Sequence, residues 1–428
     1  MNKLTIIVTY YNAEEYITGC LESIKQQRTQ DFNLIIVNDG STDQSKKLMD
    51  EAIKDYDKNI RFIDLDENSG HAHARNIALE EVETPYFMFL DADDELASYA
   101  ITFYLEKFNN TDGLIAPIHS FTTQRPQFVD LDRVRVEYFN AEGNINSFLR
   151  KQSACNIIFR TAIVKAHHIR FNENLNTYVD WSFVLEYMKY VNKFVRIFNF
   201  PFYFRGEVYD PFETLTLSEQ NFDILFKDYV NSFYDAIKRA TNPKVREFIV
   251  TKMGNKIANE FEPTRYDINE RYQTHKDTLV ELSKFLHVHL VKNQKLINKI
   301  ETILLMNNET DKAFKVNQFR KTLRHVKNIV LRRKNKERSL YDLTDKEDNV
   351  KPKTIVFESF GGKNYSDSPK YIYEYMQKYY PNYRYIWSFK NPDKNVVPGS
   401  AEKVKRNSAE YYQAVSYTHL RAHETRGN

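Results

Sequence analysis

The sequence predicts an α/β fold in its first two hundred residues, built on a mostly parallel sheet, then a helical region, then the start of a second α/β unit. Three observations carry this expectation. Short apolar runs alternate with helical spacings from the N-terminus. Polar, turn-forming residues gather directly after three of those runs. From about Leu217 the strand signals fade and helical periodicity takes over.

The elements follow in order. Leu4–Thr9, Leu34–Val37 and Phe87–Leu90 are apolar runs of the buried-strand type, and Phe62-Ile63 marks a weaker strand. Between the first two, Ile17, Cys20, Leu21 and Ile24 recur at i, i+3, i+4 and i+7, the stripe of an amphipathic helix. In open parallel sheets, ligands bind beyond the carboxyl ends of the strands. Here those ends read Thr9-Tyr10-Tyr11-Asn12, Asn38-Asp39-Gly40-Ser41 and Asp91-Ala92-Asp93-Asp94. Stretches 221–239 and 277–305 carry helical periodicity. Lys353–Phe357 reads as a strand, Tyr371–Tyr379 as a helix and Tyr385–Trp387 as another strand.

The 428 residues exceed the roughly 100–200 of one domain. Charged residues at 28% and hydrophobic ones at 42% fit a soluble globular protein. A net charge of +3 argues against a nucleic-acid partner. Cys20 and Cys155 both sit among apolar residues, so they read as buried small hydrophobes in a reducing compartment. Met1–Asn12 lacks signal-peptide architecture, and no run reaches the ~18–20 apolar residues that span a bilayer. A cytoplasmic location is expected, with the inner face of the cell membrane as a second surface. Phe319, Leu323, Val326 and Val330 form an apolar stripe among Arg320, Lys321, Arg324, Lys327, Arg332, Arg333, Lys334, Lys336 and Arg338. Such basic amphipathic helices bind anionic membranes, although a solvated linker gives the same pattern.

Four motifs carry chemistry. Asp91 and Asp93, one residue apart at a strand end, suit a divalent cation (Mn²⁺ or Mg²⁺) bridging an anionic diphosphate, because hard cations prefer carboxylate oxygens. Asp39 is placed to accept a hydrogen bond from a pyrimidine imide; helix capping by Ser41 or Thr42 is the plainer use of that segment. Asn68-Ser69-Gly70 offers close backbone approach at Gly70. Arg75 follows, to grip a diphosphate or to hold Asp91. His71 and His73 read as ordinary loop histidines. Asp180, in Tyr178-Val179-Asp180-Trp181, opens a helix. It is either an N-cap or the general base that deprotonates an acceptor hydroxyl.

This ordered set, spanning Leu4 to about Ser218, resembles glycosyltransferase family 2. The resemblance implies the GT-A fold and inverting transfer from a UDP-sugar. Thr9, Tyr11 and Asp39 then match the uracil and ribose contacts, Asp91 and Asp93 the Asp-x-Asp pair with Asp93 closest to the metal, and Asp180 the base. Tyr203-Phe204-Arg205 resembles the segment leading into the family's lid, with Arg205 as a diphosphate contact. Two positions depart from the pattern. Thr9 stands where Pro is frequent, and Val179 where Glu often precedes the base.

Further along, Phe357–Lys363 and Ser366–Tyr373 resemble the opening of the CDP-glycerol glycerophosphotransferase family, the teichoic acid polymerases, which implies a truncated GT-B-like fragment. The expected organisation is a transferase domain over 1–218, a helical region with a basic linker over 219–350, and the fragment over 351–414. The tail 415–428 resembles translated sequencing adapter, so the natural protein is expected to be longer. The combination implies hexose or N-acetylhexosamine transfer to a hydroxyl of teichoic acid or another polyol-phosphate or glycan polymer. The alternative is a glycerophosphotransferase whose GT-A module only binds or positions the chain.

Overall fold

The computed structural model describes residues 2–54, 56, 59–108, 110–120, 130–140, 153–198, 200–206, 222–262, 268–293, 296–333, 336–344 and 353–415. The chain divides into two compact units, Met1–Lys256 and Ile257–Asn428. The first therefore runs past 218 and takes in helical residues up to 256.

In the first unit, β1 (Leu4–Tyr10) is buried along its whole length. It pairs in parallel with β2 (Phe32–Asn38) on one side and β4 (Tyr86–Asp91) on the other, and β3 (Ile60–Asp64) extends the parallel half beyond β2. The uninterrupted apolar runs of the sequence are these doubly covered central strands. Helices α1 (Ile17–Lys25), α2 (Ser45–Ile53) and α3 (His71–Glu80) connect them, with α1 burying Ile17, Cys20, Leu21 and Ile24 as its periodicity predicts.

Beyond β4 the sheet ceases to be purely parallel. After β5 (Glu95–Leu96) and α4 (Ala100–Lys107) come β6 (Gly113–Ile115), β7 (Ile118–Ser120), β8 (Val136–Asn140) and β9 (Ile157–Arg160). Helices α5 (Thr161–Ala166) and α6 (Asp180–Met188) precede β10 (Lys193–Ile197) and β11 (Tyr203–Arg205). The eight-stranded sheet has the order β3-β2-β1-β4-β9-β6-β10-β8. Its β9 runs antiparallel between β4 and β6, and β8 antiparallel to β10. A small sheet β5-β11-β7 holds Tyr203–Arg205 opposite the residues that follow Asp91. Helices α7 (Phe222–Arg239) and α8 (Pro243–Glu260) come next.

The second unit contains α9 (Ile268–Thr274), α10 (Lys276–Asn293), α11 (Leu296–Met306), α12 (Thr310–Val330) and α13 (Lys336–Thr344). The stretch 277–305, read as one helical region, belongs to two helices. On α12, Phe319, Leu323, Val326 and Val330 are exposed. Part of the basic face is neutralised locally, Arg320 by Glu301 and Arg324 by Glu262. The parallel sheet β12 (Thr354–Phe357), β13 (Arg384–Phe389) and β14 (Glu402–Lys405) follows, with α14 (Asp367–Tyr379) and α15 (Ala409–Val415). Its core is aromatic: Phe357, Tyr373, Tyr385, Trp387 and Phe389. Among the described residues no helix is long and apolar enough to cross a membrane. Lys334 and the tail 416–428 lie outside the described residues.

Candidate active site

The site assembles at the carboxyl ends of β1, β2 and β4. Sheet register sets the first spacing: Thr9 on β1 stands opposite Val37 on one side and Asp91 on the other. Thr9 is buried, while Tyr11, just past the strand, is exposed.

Asp39 follows β2 and is buried. Its Oδ1 accepts from the Ser69 N–H at 2.9 Å and its Oδ2 from the Gly70 N–H at 3.0 Å, while Asn68 Oδ1 also accepts from Gly70 N–H at 3.0 Å. Each Asp39 oxygen keeps a second lone pair for another donor. Gly40 makes this close approach possible. Its φ is +66°, and a Cβ there would meet the Glu67 carbonyl carbon at 2.3 Å. Neither Ser41 nor Thr42 caps α2. Asp43 Oδ1 accepts from Ser45 N–H at 3.0 Å and a Glu14 oxygen from Gln44 N–H at 2.8 Å. Ser41 and Thr42 instead fasten Asn12, at the end of β1, to this turn.

Arg75 is the centre of the second half of the site. It lies on α3 and is almost completely buried. One terminal nitrogen donates to Asp180 Oδ1 at 2.6 Å; the other donates to Asp91 Oδ1 at 2.8 Å and reaches Cys155 Sγ at 3.2 Å. The guanidinium lies 4.9 Å from the ring centre of Phe89 and 5.2 Å from that of Phe171, against which it packs as a cation on aromatic faces. Two carboxylates keep it charged despite burial. Of the two uses predicted for Arg75, holding Asp91 is what these contacts accomplish. Asp180 does not cap its helix. It sits in the first turn of α6, and its Oδ2 accepts from Ser153 Oγ at 3.1 Å and Ala154 N–H at 2.9 Å.

The three carboxylates after β4 differ sharply in charge preference. Burial opposes the Asp91 anion, but Arg75, with help from His71, outweighs it and holds the group at about 2. Burial, then the neighbouring Asp91 charge, pushes Asp93 up to about 6. Burial, then Asp91 and Asp93, pushes Asp94 up to about 8. Asp94 is occupied structurally: Tyr203 Oη donates to it at 2.5 Å and Gly206 N–H at 2.8 Å. Asp91, Asp93 and Asp94 can each offer an oxygen within 4.8 Å of the others. Among the described residues, no other residue's side chain hydrogen-bonds Asp93. A clustered trio with one uncommitted and destabilised anion fits a divalent cation of the oxygen-preferring kind. Arg205, at the end of β11, is exposed; burial opposes its charge, but Asp94, with Asp91 among the further contributors, raises its pKa.

His71 and His73 lie in the first turn of α3 and not in a loop. His71 Nε2 is 4.0 Å from Asp91 Oδ1, and burial followed by the Arg75 charge lowers it to about 4, so it is neutral beside the acidic cluster. Sequence reasoning assigned no role to Asp94, Ser153 or Tyr203. Asp94 was visible as the fourth residue of Asp91-Ala92-Asp93-Asp94; Ser153 carried no signal.

This fold, with acidic groups from β2, β4 and α6 gathered at the carboxyl ends of its strands, is of the GT-A kind, and the comparisons with known proteins agree on that fold. Residues 5–167 match glycosyl transferase family 2, and residues 340–421 match CDP-Glycerol:Poly(glycerophosphate) glycerophosphotransferase. Over 416 residues, 97% of the chain, it is 99% identical to a teichoic acid poly(glycerol phosphate) polymerase of Staphylococcus epidermidis. The chain spans 58% of that relative's length. It is 29% identical over 201 residues to the poly(ribitol-phosphate) β-N-acetylglucosaminyltransferase TarS of Staphylococcus aureus, covering 44% of this chain and 32% of TarS. The crystal structure of S. aureus TarS 1–349 in complex with UDP-GlcNAc superimposes with a TM-score of 0.58 at 17% identity. That match covers 74% of this chain and 90% of TarS 1–349, and it establishes the shared fold.

Proposed function

We propose that the first unit is an inverting glycosyltransferase that moves a hexose or N-acetylhexosamine from a UDP-sugar to a hydroxyl of teichoic acid. The observation that carries this reading is Arg75, which joins Asp91 to Asp180 across one guanidinium. In this reading one guanidinium ties the metal-side carboxylate to the base. Asp39, fixed by the Ser69 and Gly70 amides beside Asn68, directs lone pairs at the uracil imide. Thr9 and Tyr11 line the adjoining strand end. Asp93, with Asp91 beside it, would hold a divalent ion (Mn²⁺ or Mg²⁺), which supplies charge neutralisation for the leaving diphosphate. Arg205 adds positive charge on the same side. Asp180 takes the proton of the acceptor hydroxyl. The oxygen forms its bond to the anomeric carbon as the bond from that carbon to the diphosphate oxygen breaks, and UDP leaves.

A teichoic acid acceptor is supported by the polymerase and TarS relatives and by the glycerophosphotransferase match at 340–421. The same match favours a second reading, polymerisation of glycerol phosphate, with the GT-A unit as a binding or positioning module. Intact Asp39, Asp91, Asp93 and Asp180 support catalysis in that unit. The exposed stripe Phe319, Leu323, Val326 and Val330 on α12 supports docking on the anionic inner leaflet. Replacing these four residues by serine is expected to abolish flotation with anionic liposomes; unchanged flotation rejects the docking.

The test of the enzyme reading is a screen of UDP-sugars for metal-dependent UDP release, with glycerol-phosphate and ribitol-phosphate polymers as acceptors. Asp93→Ala and Asp180→Asn are each expected to lower turnover at least about a hundredfold. Turnover like that of the wild type in either variant contradicts the assignment.

A further inference from the structure

We infer that α7, which lies outside the family-matched span, is a working part of the transferase: Asp228 and Ser232 are positioning residues that hold the turn carrying Asp180. This rests on the reading of Asp180 as the base.

The turn before α6 is strained. Tyr178 has a φ of +58°, a left-handed conformation that a bulky side chain adopts only when its surroundings enforce it. The enforcing contacts come from α7. Asp228 Oδ2 accepts from both the Thr177 N–H at 3.2 Å and Thr177 Oγ1 at 3.0 Å. One helical turn further along the same face, Ser232 Oγ donates to the Tyr178 carbonyl at 2.8 Å. Between these contacts, Tyr229 receives the Tyr178 ring edge-on at 4.9 Å and the Trp181 ring at 5.7 Å. Asp228, Tyr229 and Ser232 are all buried.

These contacts grip residues 177, 178 and 181, on both sides of Asp180. From the opposite direction Arg75, Ser153 and Ala154 hold the Asp180 carboxylate itself. The backbone is therefore set by one group of residues and the side chain by another. Loss of the α7 clamp lets the Tyr178 turn relax toward ordinary geometry, which draws the Asp180 backbone and carboxylate off the position that the Arg75, Ser153 and Ala154 contacts otherwise fix. A displacement on the order of 1 Å at a reacting group costs up to about a hundredfold in rate.

The experiment compares the full chain with Asp228→Ala, Asp228→Asn and Ser232→Ala. It measures kcat for UDP release, affinity for UDP, and amide hydrogen exchange over 176–182. Asp228→Ala is expected to lower kcat about ten- to a hundredfold with UDP affinity unchanged and faster exchange in that segment. Asp228→Asn keeps an acceptor oxygen for Thr177 and should return kcat to within about threefold of wild type. Ser232→Ala, the milder change, should fall between them. Wild-type kcat and exchange in Asp228→Ala overturn the inference, as does a loss of UDP affinity parallel to the loss of kcat. If the wild-type chain releases no UDP with any donor, the enzyme reading fails instead, and the exchange data still decide whether α7 clamps the turn.

Discussion

Arg75 holds two carboxylates that would otherwise face each other across a buried gap. Removing it leaves Asp91 and Asp180 uncompensated, and breaking such a pair typically costs about 3–5 kcal/mol. Arg75→Ala is therefore expected to lower the urea midpoint well below that of wild type, whereas Asp93→Ala, which removes an anion held above its normal pKa, should leave stability equal or higher. Equal midpoints for wild type and Arg75→Ala would contradict the bridge. The acidic cluster also sets a pH dependence. Asp94 is held at about 8 by burial and by Asp91 and Asp93, against about 3.9 in an unfolded chain. The folded protein keeps a proton there that the unfolded chain has released, so this stabilisation is present at low pH and is lost as pH rises through about 8. Asp93, at about 6, acts in the same direction but is exhausted earlier. His71, at about 4, acts oppositely, and only below about 6.5. In chelator, Tm should fall between pH 6.5 and 8, and Asp94→Asn should flatten that slope. A level wild-type profile across this window would count against the buried, clustered geometry.

Among elements, the turn between β2 and α2 depends on one backbone position. Gly40 combines a φ of +66° with an approach so close that a Cβ would fall 2.3 Å from the Glu67 backbone. Gly40→Ala is expected to destabilise by about 1–3 kcal/mol and to weaken UDP binding, because Glu67–Gly70 must move and Asp39 loses its amide donors. Unchanged UDP affinity in that variant would separate Asp39 from nucleotide recognition. The elements that sequence periodicity identifies are those with long apolar runs: Leu4–Tyr10, Phe32–Asn38 and Tyr86–Asp91. Gly113–Ile115, Ile118–Ser120 and Tyr203–Arg205 have three residues each, too few for a period to show, so β6 of the large sheet and most of the small sheet were not legible. The same holds for side-chain links. Asp39, Asp91, Asp93 and Asp180 are visible as motifs at strand and helix ends. The bond from Arg75 to Asp180 spans 105 positions, and that from Thr177 to Asp228 spans 51; no local pattern encodes either.

At the scale of the whole chain, two transferase-related regions lie in one polypeptide, a GT-A unit at the N-terminus and the match at 340–421. Under the proposed function, a sugar transferase joined to a region related to polymer synthesis would raise the local concentration of acceptor hydroxyls without any new contact. The central claim is narrower and independent of the acceptor: Asp39, Asp91 and Asp93 form one pocket for a cation and a uridine nucleotide. Calorimetric titration of UDP into the full chain, with Mn²⁺ and again with chelator, tests it most directly. UDP should bind at least about tenfold more tightly with Mn²⁺, and Asp93→Ala should erase that difference, in keeping with a metal bridging carboxylate and diphosphate. Equal affinity in Mn²⁺ and chelator, or a metal dependence that survives Asp93→Ala, would contradict it.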